Sequence, residues 1–314
     1  MDFVSLGRTG LRASVIGLGG GSSGRFGLKA GGTRADAVRL IRTALDEGIT
    51  LFDGAGLAGG VDDILGEALA GSRDRVLVAT KVHLGPDPVL LAGSTLANRA
   101  SGWLARQRGT VCSGPTLRRH VERTLRRLRV EQVDLLNLHS LLPSQYPQAL
   151  ERSLPELARL KEEGKIRAVG VTEAFLRDPD HAMLRAAVAD ARVDVIMVGF
   201  NPANPSAAEA LLPAAAGAGI GAIGMFVLRG LATRGRDVAD RLTTLLGEAG
   251  IPSLADLAYR YCRHQPGMDV VLTGTGDPVH LRRNVAAALA GPLPPDVIDR
   301  LHALLAPASA SPTG

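Results

Sequence analysis

Short apolar runs alternate along this chain with longer segments in which apolar residues recur every three to four positions. The short runs are rich in leucine and β-branched residues, so each is predicted to be a strand buried on both faces, as in a parallel sheet. The longer segments have the period of an amphipathic helix. Ahead of the first repeat, residues 3–5 and 11–14 predict a small hairpin that turns at Arg8-Thr9-Gly10.

After the hairpin, the pattern predicts a series of strands that are each followed by helix. The predicted strands cover residues 14–18, 49–53, 75–81, 132–139, 167–171, 193–199, 219–226 and 269–273. The predicted helices cover residues 34–47 (with Thr33 as N-cap and Gly48 as C-cap), 62–69, 115–128, 149–164, 179–190, 206–217, 237–249, 253–264, 278–290 and 294–305. A long insertion rich in Gly, Pro and Ser is predicted at residues 82–113 and contains Trp103.

Eight strand–helix units in a chain of 314 residues predict an α/β fold, a closed (β/α)8 TIM barrel with an N-terminal β-hairpin and C-terminal helices. An open doubly wound sheet is the rival, but no GxGxxG segment follows the first strand. Residues 1–306 are predicted to form this single barrel domain. The last residues, 307–314, are rich in Pro, Ala and Ser and are predicted to be a disordered tail.

Composition excludes several classes of protein. The formal net charge is +5 and the pI is about 9.7, but arginines on predicted helices are typical of a solvated face, and 3% aromatic residues argue against a nucleic-acid reader. Cys112 and Cys262 have no metal-binding or redox spacing, so reduced thiols in a cytoplasmic protein are expected. The N-terminus lacks a signal-peptide core, and no apolar stretch predicts a membrane span.

Three polar residues, Asp53, Lys81 and His139, end the apolar runs 49–53, 75–81 and 131–139. In a parallel barrel these positions converge on the C-terminal rim, where such barrels keep their chemistry. Taken singly, the aspartate could be a turn former and the histidine a core residue. A buried lysine without a partner would carry a large desolvation cost, so an Asp53–Lys81 ion pair is predicted.

Several segments resemble, in order, those of the aldo-keto reductase superfamily. They are LGRTGLRASVIGLG near the start, LFDGAG, DDILGEAL at 62–69, ATK, VDLLNLH, KIRAVGVTEAF at 165–175 and VLTGTGDPVHLRRNVAAA at 271–288. The resemblance covers nearly the whole chain. It implies a reductase that passes hydride from a nicotinamide cofactor to a small-molecule carbonyl, with Asp53, Lys81 and His139 as three of the four catalytic residues. The fourth, a tyrosine five residues after the aspartate, is replaced here by Ala58.

A cofactor site is implied at the end of the last strand. Residues 274–277 precede a helix that begins at Pro278, and free N–H groups at a helix start bind anions. The alternative is an ordinary capped surface helix. Arg283 replaces an acidic residue common in the family, which favours NADP(H) over NAD(H). The implied cofactor-binding residues are Thr172, Glu173, Phe200, Phe226, Gly274, Thr275, Gly276, Asp277, His280, Arg283 and Asn284.

The substitution at position 58 shapes the predicted function, because loss of a positioned acid typically costs ~10²–10⁴-fold in rate. His83 and Tyr146 are predicted on the same rim as substitute proton donors, and direct donation by Lys81 or by a protonated His139 is a second possibility. Alternatively, the substrate is an imine, an iminium or a conjugated carbonyl that needs no acid. The leading prediction is therefore an NADPH-dependent oxidoreductase of unusual substrate, in specialised biosynthesis. A non-redox lyase, dehydratase or cyclase, and a catalytically dead cofactor-binding protein, are the alternatives.

Overall fold

The computed structural model describes residues 1–21, 24–56, 60–84, 113–231 and 236–306. Several sequence-based predictions concern positions outside these residues. They are the substitution at Ala58, most of the insertion with Trp103, the thiol of Cys112, and the tail at 307–314.

Two sheets are present in the described residues. The first is an antiparallel pair, β1 (Phe3–Ser5) and β2 (Arg12–Ser14). The second contains β3 (Ile16–Gly19), β4 (Leu51–Asp53), β5 (Leu77–His83), β6 (Val133–Leu141), β7 (Ile166–Glu173), β8 (Val195–Gly199), β9 (Gly221–Met225) and β10 (Val270–Thr273). These strands run parallel and close into a barrel in which β10 pairs with both β9 and β3. The predicted (β/α)8 barrel is thus confirmed.

Helices surround this barrel. Those in the described residues are α1 (Arg34–Asp46), α2 (Val61–Ala68), α3 (Gly114–Leu128), α4 (Tyr146–Arg152), α5 (Leu154–Glu162), α6 (Ala182–Val188), α7 (Leu211–Gly217), α8 (Arg236–Glu248), α9 (Leu254–Arg263), α10 (Pro278–Leu289) and α11 (Pro295–Leu305). The predicted N-cap of α1 is present, since the Thr33 side chain accepts a hydrogen bond from the Asp36 amide. None of the described helices is long and apolar enough to cross a membrane.

The predicted N-terminal hairpin is present and closes the bottom of the barrel. Its residues Leu6, Leu11 and Ala13 belong to one buried cluster with inward-facing residues of the strands, among them Leu77 and Leu135. A much larger apolar cluster lies between the strands and the helices. Because the hairpin covers one end of the apolar interior, the polar residues that follow this interior along the strands lie at the opposite, C-terminal rim.

Some predicted bounds were wrong, and proline explains the largest difference. The helix predicted at 149–164 is two helices, α4 and α5, which meet at Ser153. Pro155 lacks an N–H and begins a new helix there instead of continuing the first. In the same way, the helix predicted at 206–217 is a 3-10 turn, Ser206–Ala208, followed by α7.

Two strands continue further than predicted. Strand β5 runs two residues beyond Lys81, and β6 runs two residues beyond His139. Both residues still lie near the C-terminal ends of their strands. The buried thiol of Cys262 is free, as expected, and burial raises its pKa well above the ordinary value.

Candidate active site

A buried ion pair between Asp53 and Lys81 lies at the C-terminal rim. The two residues are 3% and 6% exposed, and the Lys81 Nζ donates to both carboxylate oxygens of Asp53. It also donates to the Gly54 carbonyl at 2.8 Å. An ammonium has three hydrogens, so these contacts use all of them. Burial raises the pKa of the Asp53 carboxyl, and the Lys81 charge opposes that effect.

His139 joins this pair from the neighbouring strand. Its Nδ1 lies 3.0 Å from the Thr172 hydroxyl oxygen, and its ring meets the ring of His83 edge to face with centroids 4.4 Å apart. Burial lowers the pKa of His139 well below its usual value, and the nearby charges of His83 and Lys81 lower it further. The imidazole is therefore neutral at physiological pH.

Strand register explains why these residues meet. In the β5–β6 pairing, Lys81 is aligned with Asn137, and His83 with His139. Residues two apart along a strand face the same side, so these four side chains form two layers on the inner face of the barrel. The β4–β5 pairing aligns Asp53 with Ala79, one layer below Lys81.

Asp62, at the start of α2, is a site residue that the sequence reasoning missed. It is 0% exposed, and its carboxylate accepts hydrogen bonds from the Ala55 amide at 2.9 Å and the Thr80 hydroxyl at 2.8 Å. Burial raises its pKa from 3.8 to about 6, and the charges of Lys81 and Asp53 both act on it. Asp62 thus anchors the loop that leads to position 58. The acidic pair at 62–63 after a glycine-rich loop was its only sequence signal.

Asn137 is a second residue that was missed. It is completely buried beside Lys81, and its Oδ1 has no hydrogen-bond partner among the described residues. A Cβ on Gly170 would lie 2.1 Å from that oxygen, so only glycine at position 170 leaves room for the amide. In the sequence, Asn137 is a single asparagine within an apolar strand, and that pattern gave no indication that its side chain would lie beside Lys81.

The two residues predicted as substitute proton donors, His83 and Tyr146, lie in different parts of the structure. His83 contacts His139, as described above. Tyr146 lies instead in the large cluster between strands and helices, and its hydroxyl has no hydrogen-bond partner in the described part of the chain. Burial raises the pKa of Tyr146 strongly, the charge of Asp190 raises it further, and the charge of Arg192 lowers it.

At the end of β7, Glu173 has internal partners for both carboxylate oxygens. One oxygen accepts from the Gly199 amide at 2.7 Å, and the other lies 2.9 Å from His181 Nδ1. The ring of His181 continues to the Ser206 hydroxyl, 3.0 Å from Nε2. Both side chains of the Glu173–His181 pair are fully buried, and burial raises the pKa of the glutamate.

The two phenylalanines predicted to bind the cofactor, Phe200 and Phe226, also lie in different surroundings. Phe200 is completely buried and stacks on Tyr261, with ring centroids 5.8 Å apart. Phe226 has a positive φ of 65° and lies near Phe175, with centroids 5.7 Å apart. The guanidinium of Arg229 lies over the Phe226 ring, 4.6 Å from its centroid.

The predicted phosphate segment does come together around the start of α10. The Asp277 carboxylate caps the Val279 amide at 2.7 Å, and the Thr275 hydroxyl oxygen accepts from the Asp277 amide at 3.0 Å. The ring of His280 lies 3.7 Å from Asp277. These contacts order the segment 274–277, which contains Gly274 and Gly276.

Two further residues of α10 differ in their freedom to bind a ligand. The side chain of Asn284 is buried and donates to the Thr273 hydroxyl at 2.9 Å. The side chain of Arg283 is exposed, and no described residue forms an ion pair with it. Its neighbour Arg282 is paired with Glu47 at 2.8 Å. Arg283 is therefore the arginine of this helix that remains available to a phosphate.

The aldo/keto reductase family model matches residues 15–306 of the chain. The chain belongs to this family. Asp53, Lys81 and His139, which the resemblance assigned to its catalytic set, are the residues that meet at the barrel rim. No group of three or more His, Cys, Asp or Glu side chains suited to a metal ion occurs in the described ranges.

Relatives within the family are named as reductases or dehydrogenases. The chain is 32% identical over 188 residues to the aldo-keto reductase YhdN of Bacillus subtilis, a match that covers 57% of this chain and 49% of that protein. It is 30% identical over 230 residues to L-galactose dehydrogenase of Arabidopsis thaliana, covering 71% and 64%. A 6-dehydroglucose reductase of Novosphingobium aromaticivorans is 30% identical over 188 residues, covering 56% and 52%. The match thus spans about half to two thirds of these relatives.

Solved aldo-keto reductase structures share the fold. Aldo-keto reductase AKR11C1 from Bacillus halodurans, in its holo form, superposes with a TM-score of 0.74 at 22% identity, covering 97% of this chain and 96% of that one. PA4992 from Pseudomonas aeruginosa, provisionally assigned to the aldo-keto reductases, gives a TM-score of 0.66 at 28% identity, covering 91% and 94%.

Proposed function

We propose that this family member is an NADPH-dependent oxidoreductase whose small-molecule substrate is reduced without an acid from the protein. The observation that carries the proposal is the geometry of Lys81. Its three hydrogens are directed to the Asp53 carboxylate and the Gly54 carbonyl, so the ammonium has none left for a substrate oxygen.

His139 supports the same conclusion. A general acid must carry a proton that it can release near the working pH. The depressed pKa of His139 leaves its ring neutral, so the ring donates a hydrogen bond but does not deliver a proton as an imidazolium would. With Ala58 at the position of the family's tyrosine, Lys81 and His139 offer electrostatic support and hydrogen bonding, and neither delivers a proton to the substrate.

The substrate must therefore be one that accepts a hydride without needing a proton from the protein. An iminium already carries a positive charge, so addition of hydride yields a neutral amine and no proton is required. A conjugated carbonyl that takes hydride at its β-carbon spreads the resulting charge over an enolate, which water can protonate. An ordinary ketone or aldehyde would instead generate a localised alkoxide, which costs most where an acid is missing.

NADP(H) fits the phosphate end of the site best. Asp277 already caps the Val279 amide at the start of α10, so the exposed Arg283 is the group that would bind the 2′-phosphate. When bound, this cofactor supplies the hydride. At the carboxamide end, the side chains of Thr172 and Glu173 already have protein partners, so the cofactor's amide would bind other groups of the rim.

The redox names of the relatives favour an oxidoreductase over a lyase, dehydratase or cyclase. The test is to incubate the purified protein with NADPH and, in parallel, a cyclic iminium, a conjugated enone and a simple aldehyde. Loss of NADPH absorbance and the reduced product by mass spectrometry are followed together. We expect turnover of the iminium or the enone at a rate well above that of the aldehyde. Turnover of any of them without NADPH loss supports the non-redox alternative, and cofactor binding without turnover of any compound supports a catalytically dead protein.

A further inference from the structure

We propose that Thr172 is a positioning residue that sets the tautomer of His139. In this arrangement the Thr172 hydroxyl donates its hydrogen to Nδ1, and the single ring proton of His139 resides on Nε2. The inference deepens the proposed function, because it concerns the same site, but it does not require that function to be correct.

The Thr172 hydroxyl has one hydrogen to donate, and the groups around it determine which atom accepts that hydrogen. Thr172 is completely buried, so its hydroxyl hydrogen needs an acceptor within the protein. The Ser140 amide donates to the same oxygen at 2.7 Å, and an amide nitrogen accepts nothing in return. Nδ1 of His139, at 3.0 Å, is the other atom in contact with this oxygen among the described residues. The hydroxyl hydrogen therefore goes to Nδ1.

The opposite tautomer leaves a buried donor unsatisfied. If Nδ1 carried the proton, the Thr172 oxygen would accept from both the imidazole and the Ser140 amide. Its own hydrogen would then face no acceptor among the residues whose positions are described. Burying an unpaired hydroxyl is unfavourable, whereas the first arrangement gives the Ser140 amide, the Thr172 hydroxyl and His139 Nδ1 each a partner.

The backbone next to His139 is held in an unusual conformation that serves this contact. The β6–β7 pairing shifts register between Leu138 and Leu141, and Ser140 has a φ of 56° within that bulge. A non-glycine residue in the left-handed region is strained, and such residues persist where the surrounding structure holds them. Here the strained residue turns its N–H onto the Thr172 oxygen, which fixes the direction of the hydroxyl.

The consequence concerns the role of His139. A neutral ring with its proton on Nε2 can donate a hydrogen bond from that nitrogen, and which nitrogen is protonated depends on the partner of the other. The depressed pKa agrees with a neutral ring. Thr172 thus acts through His139, and the hydroxyl that the resemblance assigned to the cofactor is already committed.

The test reads the tautomer directly in the full-length protein, with neither cofactor nor substrate. Histidine labelled with the heavy nitrogen isotope gives ring-nitrogen chemical shifts that distinguish Nδ1–H, Nε2–H and imidazolium forms. The chain has seven histidines, and the signal of His139 is assigned by its loss in His139→Gln. We expect the Nε2–H form in the wild-type protein at neutral pH, the same form in Thr172→Ser, and its loss in Thr172→Val.

Thr172→Ser is the matched control, because it keeps the hydroxyl and loses only a methyl group. An Nδ1–H or imidazolium spectrum for wild-type His139 at neutral pH overturns the proposal, and so does an unchanged Nε2–H spectrum in Thr172→Val. If Thr172→Val does not fold, the wild-type spectrum alone decides. Because no NADPH is present, these results are independent of the outcome of the turnover experiment.

Discussion

The hydroxyl of Thr80 donates a 2.8 Å hydrogen bond to Asp62, linking β5 to the first turn of α2. Successive side chains of a strand alternate between faces, so this contact lies on the outer side of the strand whose inner side carries Lys81. The same carboxylate holds the Ala55 amide at 2.9 Å. One buried acid therefore couples β5 to the loop after Asp53, although it does not itself reach the inner rim.

The pKa of Asp62 leads to a prediction about stability and pH. Its folded value of about 6 lies above the ordinary 3.8, so the folded protein holds the proton more tightly than the unfolded chain. The stabilisation is complete below 3.8 and is lost as the pH rises through about 6. Asp62→Asn cannot ionise, so its stability relative to wild type should improve by up to about 3 kcal/mol from pH 4 to pH 7.

Urea unfolding of both proteins across that range measures the effect. Asp63→Asn, which removes the neighbouring and far more exposed carboxylate, is the matched control and should show no comparable trend. A difference between wild type and Asp62→Asn that stays constant with pH would contradict the prediction.

Removal of Lys81 should destabilise the fold through the acid it leaves behind. Lys81→Met keeps most of the length of the side chain but buries Asp53 without a counterion, which typically costs about 3–5 kcal/mol. The double variant Asp53→Asn, Lys81→Met removes both charges and should recover most of that loss. Denaturant unfolding of wild type, both single variants and the double variant gives the coupling. Additive losses would show that the ion pair does not contribute to stability.

Restoring the missing phenol should change which substrates are reduced. The backbone before position 58 is held in place, because Asp62 binds the Ala55 amide and Gly56 packs on the Lys81 carbonyl, only 2.1 Å from where a Cβ would lie. In Ala58→Tyr, we expect reduction of simple aldehydes with NADPH to rise at least about tenfold, toward the ~10²–10⁴ typical of a positioned acid. Ala58→Phe has the same bulk but no hydroxyl and should show no gain. Equal gains in both variants would attribute the effect to packing.

Preference for NADPH should depend on one arginine of α10. Arg283 is exposed without an ion pair in the described residues, whereas its neighbour Arg282 is bound to Glu47. Loss of a charge-assisted hydrogen bond costs about 1.5–3 kcal/mol, so Arg283→Ala should weaken NADPH binding about 10- to 150-fold and leave NADH binding nearly unchanged. Calorimetric titration with both cofactors checks this, with Arg282→Ala as the control. Equal affinity of the wild-type protein for the two cofactors would refute the expected preference.

The fold followed from local patterns. Strand and helix periods alternate along the chain, and a parallel barrel is the arrangement that buries every one of those apolar strands on both faces. The family assignment followed in the same way from ordered segments and is confirmed by the match over residues 15–306. Helix ends around Pro155 and Pro213 were placed poorly because weak local periodicity ran across a proline in each case. The roles of the site residues and the cofactor preference stay predictions.

By itself, the sequence determined that Asp53, Lys81 and His139 would share one rim, because each lies at or near the C-terminal end of a strand and parallel strands point those ends the same way. Only the tertiary structure decided what the polar residues around them bind. Thr172 reaches His139, 33 residues away, and Glu173 reaches the Gly199 amide, 26 residues away. Those partners are brought together by strand register and by the bulge at Ser140, and no periodicity in the sequence encodes either. A buried hydroxyl or carboxylate bonds to whichever group the closed barrel places beside it, so its role was settled by neighbours distant in the chain.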